Sequence, residues 1–222
     1  MISDGARARQ FTLRNNCHES VWPGIQPGAG RPIIQDGGFQ LQPGQSVSFA
    51  VPTAWSGRVW ARRGCSFDAT GHGSCETGDC GGVLKCAGAG GVPPASLAEF
   101  TLDSPLDFYD VSLVDGYNLP LSIVPSSGSC EAVRCVNDLN RICPGSLQVK
   151  KGGRAVACMS ACMAFGEPEY CCTGPFGTPN TCKPTSYSRM FKSACPKAYS
   201  YAYDDPTSTF TCQGTDYVIS FC

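Results

Sequence analysis

The sequence predicts a mainly β protein, an antiparallel sandwich cross-linked by disulfides. Three observations carry the prediction. Short runs alternate apolar and polar residues at period two. The 26 glycines and 17 prolines fall in clusters between those runs, where turns belong. The 222 residues include 16 cysteines, an even number. At 42% hydrophobic residues the chain is too apolar for disorder. Its length allows a real core, as one large domain or a domain with subdomains.

The elements read in order. Phe11 and Leu13 alternate with Thr12 and Arg14. Val47, Phe49 and Val51 alternate with Ser48 and Ala50. In Arg58-Val59-Trp60-Ala61-Arg62 the two arginines share one face. Tyr109, Val111 and Leu113 alternate with Asp110 and Ser112, and the chain closes on Tyr217-Val218-Ile219-Ser220-Phe221. Such runs make an antiparallel sandwich. A helix is predicted over 155–165, where Val156, Met159, Met163 and the cysteines recur at three- and four-residue steps, with Gly166 as its stop. A second short helix is predicted over 187–193. Met1 to Gln10 has no apolar core of a signal peptide and reads as the remnant of a processed or recombinant N-terminus, so the fold is expected to begin near Phe11.

Sixteen cysteines point away from the cytosol and toward eight disulfides. No C-x2-C pair occurs, and His18 and His72 lie far apart in sequence, so no metal or other cofactor is expected. Cys65, Cys75, Cys80 and Cys86 sit in a glycine-rich stretch too short for a core, where 65–75 and 80–86 would be local staples. Cys143 to Cys182 are equally dense, and a Cys17–Cys222 bridge would tie the two ends. Spacing alone leaves the full connectivity open. No apolar run reaches membrane-spanning length, and no N-x-S/T sequon is present.

The net charge of −1 removes the electrostatic attraction that nucleic-acid binding needs. It conceals a polarised chain. Residues 1–85 carry +2, 86–133 carry −6, 134–197 carry +6 and 198–222 carry −3. There is no G-x-S-x-G elbow, neither histidine has a nucleophile motif beside it, and Pro93 interrupts a G-x-G-x-x-G pattern. Carboxylates remain. A glycosidase needs one carboxyl to protonate the leaving oxygen and one to attack or activate water. Glu99 has apolar neighbours that would raise its pKa, and Asp110 and Asp115 follow on the next strand-like run. The plainer alternative is that these acids cap turns or pair with Arg58 and Arg62.

Several stretches are similar to the thaumatin-like, pathogenesis-related proteins of plants. They are Gly57-Arg58-Val59-Trp60-Ala61-Arg62, Cys65-Ser66-Phe67-Asp68, Thr77-Gly78-Asp79-Cys80-Gly81-Gly82, Leu97-Ala98-Glu99-Phe100, Asp110-Val111-Ser112-Leu113-Val114-Asp115-Gly116-Tyr117-Asn118 and Tyr170-Cys171-Cys172. The run from Cys195-Pro196-Lys197 to Phe210-Thr211-Cys212 resembles them too, and the resemblance covers about 11–222. It implies a flattened antiparallel β-sandwich over 11–64, 97–134 and 196–222, a helical cysteine-rich lobe over 135–195, and a small disulfide-stapled loop region over 65–96. The pairing it implies is Cys17–Cys222, Cys65–Cys75, Cys80–Cys86, Cys130–Cys212, Cys135–Cys195, Cys143–Cys158, Cys162–Cys171 and Cys172–Cys182.

The resemblance also implies an acidic cleft lined by Arg58, Glu99, Asp110, Asp115 and Asp204, the first of an Asp-Asp pair with Asp205. A connection between Glu99 and Asp110 shorter than in many relatives would alter the cleft rim. Family members bind or slowly cleave β-1,3-glucan, with Glu99 matching the acid and Asp115 the nucleophile or base. The implied protein is a secreted monomer of the apoplast or vacuole with antifungal activity against fungal cell-wall β-glucan or another fungal surface component. Its rivals are a binding or inhibitor module for a carbohydrate or protein, and a stress-induced, allergen-type protein without turnover. The sweet-tasting members are strongly basic. This chain, with a pI near 6.1 and no Lys or Arg between Cys86 and Glu99, does not match them.

Overall fold

The computed structural model describes residues 8–102 and 105–222. The strands are β1 (Arg9–Asn15), β2 (Trp22–Pro27), β3 (Ser46–Val51), β4 (Ser56–Arg62), β5 (Ser66–Phe67), β6 (Gly73–Ser74), β7 (Leu97–Thr101), β8 (Asp107–Ser112), β9 (Leu121–Pro125), β10 (Val133–Cys135), β11 (Gln148–Lys151), β12 (Arg154–Cys158), β13 (Phe210–Cys212) and β14 (Tyr217–Phe221). Helices are short: α1 (Ala161–Phe165), α2 (Pro168–Cys171), α3 (Ser186–Ala194) and α4 (Asp205–Ser208). One five-stranded sheet runs β10-β9-β14-β1-β3 and the other β13-β8-β7-β4-β2.

The period-two pattern puts the core between these sheets. Phe11 and Leu13 of β1, Tyr217 and Ile219 of β14, Ala98 and Phe100 of β7, and Tyr109 and Val111 of β8 are buried against one another. Phe11 meets Phe100 in a tilted contact at 4.5 Å and Trp55 edge-on at 6.1 Å, while Phe100 meets Tyr217 edge-on at 5.2 Å. Such contacts add to the apolar burial that drives the sheets together.

The sandwich is antiparallel except at its centre, where β1 and β14 pair in parallel, Phe11 beside Tyr217. Both strands run toward Cys17–Cys222, so the bridge requires that shared direction. The fold also begins before Phe11. Arg9, on the core-facing side of β1, places its Nε 2.8 Å from Asp107 Oδ2, and Tyr217 donates to the same oxygen at 3.0 Å.

The helix expected over 155–165 is half strand. Residues 154–158 form β12, paired with β11, and at its end Cys158 also exchanges both backbone hydrogen bonds with Tyr117 at 2.8 Å. Only 161–165 is helical, starting where the Ser160 side chain accepts from Met163 N–H and ending on Gly166 at φ 67°. The lobe over 135–195 therefore carries a hairpin as well as helices. Its best helix, α3, contains the segment expected at 187–193 and opens on a Thr185–Ser188 capping box.

Eight disulfides pair Cys17 with Cys222, Cys65 with Cys75, Cys80 with Cys86, Cys130 with Cys212, Cys135 with Cys195, Cys143 with Cys158, Cys162 with Cys171 and Cys172 with Cys182. The stapled loops over 65–86 hang on two polar anchors. Arg62, wholly buried, donates to the carbonyls of Trp22, Pro23, Val83 and Leu84. Asp79 accepts from the N–H groups of Cys75, Gly81 and Gly82. Among the described residues no helix is long and apolar enough to cross a membrane.

Candidate functional site

The site follows from strand register. β7 turns Ala98 and Phe100 into the core, so Glu99 faces outward. Glu99 pairs with Arg58 on β4 and with Asp110 on β8, and Arg58 pairs with Gln26 on β2. Cross-strand partners share a face. Gln26, Arg58, Glu99 and Asp110 therefore form a transverse row on the outer face of the second sheet. A groove runs over this row. One half extends past Gly28, Ser56 and Phe108, and the other past Ser112, Val114, Asp115 and Tyr199. Arg58, Glu99 and Asp110 line both halves.

Arg58 is the cation at the centre. Its Nε lies 3.5 Å from Glu99 Oε1 and its Nη1 3.7 Å from Asp115 Oδ2, with side-chain exposures of 42%, 32% and 42%. These separations exceed those of charge-assisted hydrogen bonds. Exposed pairs of this kind contribute about 0–1 kcal/mol, so the donors of Arg58 are only weakly engaged by its neighbours. Glu99 has its pKa raised, chiefly by burial; Arg58 opposes the rise and Asp115 adds to it. Asp110 is pushed up to about 8, again chiefly by burial, then by Glu99, with Arg58 opposing and Asp205 adding. Oδ1 of Asp110 is enclosed and has no hydrogen-bond partner.

The row gathers Arg58, Glu99, Asp110 and Asp115. It does not gather Asp204, whose side chain turns away into a structural network. There Oδ2 accepts from Ser200 N–H and Oγ–H at 2.9 and 2.8 Å and lies 3.0 Å from Lys192 Nζ, tying α3 to the start of α4. Its neighbour Asp205 lines the groove instead, held by a 2.9 Å hydrogen bond from the Tyr199 hydroxyl, which also meets Thr209 Oγ1. In an Asp-Asp pair only the backbone at the helix start decides which side chain faces out.

Sequence reasoning also missed Gln26, Phe108 and Tyr199. Gln26 belongs to the site through strand order alone. Phe108 was detectable, since it lies two residues from Asp110 on the same strand face, and it is 43% exposed. The acids of 86–133 are not all in the groove. Asp107 is in the core with Arg9, and Glu131 pairs with Lys197. Asp103, and with it the part of the Glu99–Asp110 connection expected to change the rim, lies outside the described residues. Arg62 pairs with no groove acid; its donors go to carbonyls. Among the described residues no group of His, Cys, Asp and Glu could hold a metal ion.

The thaumatin family model matches residues 15–222. The chain belongs to the thaumatin family. A Cryptomeria japonica pathogenesis-related thaumatin-like protein is 60% identical over 219 residues, covering 98% of this chain and 91% of its own. A Prunus avium relative named glucan endo-1,3-beta-glucosidase is 50% identical over 226 residues, covering 98% of this chain and 92% of its own. A laminaripentaose-producing β-1,3-glucanase, solved with laminaritetraose, superposes with a TM-score of 0.67 across 97% of this thaumatin-family chain and 98% of its own. It shares 12% of residues, so it speaks to fold alone.

Proposed function

We propose that this protein is a secreted plant defence protein whose groove binds β-1,3-glucan of fungal walls and cleaves it slowly. The observation that carries the reading is the set of three carboxyls around Arg58 on the floor of an open groove. Carboxylates and a guanidinium are the hydrogen-bonding groups that sugar hydroxyls need. Glycoside cleavage needs one carboxyl that holds a proton and one that does not. The proton comes from the Glu99–Asp110 pair: burial opposes the ionisation of both, Asp115 adds to this at Glu99, and Glu99 adds to it at Asp110. Asp115, beyond Arg58, is the base or nucleophile. The pathogenesis-related and glucosidase names of the relatives support the same reading. Eight disulfides favour an oxidising, extracellular or vacuolar compartment.

The test is calorimetry with linear β-1,3-glucan oligosaccharides, run beside reducing-sugar release, for wild type, Glu99→Gln and Asp115→Asn. Saturable heat with the wild type, a drop in product of about 10²-fold or more in Asp115→Asn, and a measurable drop in Glu99→Gln are expected. Heat without product in the wild type would assign a binding module. No heat at all would overturn the glucan reading.

A further inference from the structure

We infer that Asp110, not Glu99, is the carboxyl that carries the proton in the groove at neutral pH, and that it donates that proton to the glycosidic oxygen. The donor role rests on the glucan reading; the location of the proton does not.

The argument is one of charge and partners. Arg58 is within ion-pair distance of Glu99 and of Asp115. Among the described residues no ion pair reaches Asp110. Glu99 and Asp110 are direct cross-strand neighbours on one face of β7 and β8, and carboxylates placed so close together do not both ionise readily. The charge settles on the partner with the cation, and the proton on the one without. The enclosed, unpartnered Oδ1 of Asp110 points the same way. An ionised carboxylate needs donors on both oxygens, whereas the carbonyl oxygen of a neutral acid tolerates their absence better. The groups facing Asp110 are Glu99 from β7, Arg58 from β4, Asp205 from α4, and Tyr199. Of these only Arg58 favours the ionised form, and its raised pKa agrees.

In the step, the O–H bond of Asp110 breaks and its proton goes to the glycosidic oxygen. The C1–O bond breaks with its electron pair staying on that oxygen. Water adds to C1 and gives its proton to the Asp115 carboxylate. Proton return from Asp115 through solvent to Asp110 resets the site.

The test is carbon NMR of protein labelled at Asp and Glu side-chain carboxyls, titrated from pH 3 to 9. One Asp resonance titrating near neutral pH or above, and absent in Asp110→Asn, is expected. A Glu resonance that titrates there and is absent in Glu99→Gln would overturn the inference, as would all carboxyls titrating in acid. These outcomes do not depend on glucan. In the second arm, Asp110→Asn mimics the neutral acid, so oligosaccharide affinity should stay within about threefold while product release falls by about 10²-fold or more. Wild-type product release by Asp110→Asn, or no hydrolysis by wild type, would overturn the donor role and leave the proton assignment to the NMR result.

Discussion

Asp110→Asn should make the protein more stable at alkaline pH, which is unusual for removal of a carboxylate. The sign follows from linkage. The Asp110 pKa rises from 3.8 to about 8 in the folded state. Between those values the native state holds more protons than the unfolded chain, so stability falls as pH rises through the window. Asparagine removes the ionisation and so the fall. A span of about four pH units at about 1.4 kcal/mol each sets a ceiling near 5–6 kcal/mol. Asp110 lines an open groove, so solvent screens it, and a gain on the order of 1–3 kcal/mol at pH 8 is the working figure. The assay is denaturant unfolding, disulfides intact, of both proteins from pH 4 to pH 9. The two curves should meet near pH 4 and separate steadily to pH 8. Parallel curves, or a variant that loses ground as pH rises, would refute the reasoning. Glu99→Gln should shift the window downward, because Glu99 helps to raise Asp110.

Three further outcomes are expected. Asp107→Ala leaves the Arg9 guanidinium and Tyr217 hydroxyl without their carboxylate in the core, and unfolding should show a loss of about 3–5 kcal/mol. Arg62→Met strips the donors from four carbonyls that anchor the stapled loops; at about 1–3 kcal/mol for an unsatisfied group, several kcal/mol should be lost, with faster proteolysis within 65–86 as the readout. Lys192→Met releases Asp204 from α3; stability should fall by about 1–3 kcal/mol and amide exchange over 200–208 should rise, while exchange in β1 and β14 stays slow.

The strands were legible because alternation is local. Phe11, Val47, Tyr109 and Tyr217 each announce an inward face through their immediate neighbours. The segment 155–165 is not one helix because, although Val156 and Met159 satisfy a helical period, strand pairing claims the backbone around them: 154–158 pair with β11, Met159 N–H donates to the Leu147 carbonyl, and Cys158 also bridges distant Tyr117. Arg62 shows the same limit. Its face was read correctly, but its role as an anchor of carbonyls depends on loops that return more than twenty positions later.

The sequence by itself determined the β architecture, the even cysteine count and the family, through motifs that keep Arg58, Glu99, Asp110 and Asp115 in recognisable contexts. Only the tertiary structure decided how these residues meet. Strand order sets Arg58, Glu99 and Asp110 side by side from three separated segments, places Arg58 against Glu99 and Asp115 but not Asp110, and presents Asp205 in place of Asp204. The reason is physical. Alternation and turn chemistry act over a few residues, whereas pKa, ion pairing and groove shape depend on distances between segments that only the completed fold brings together.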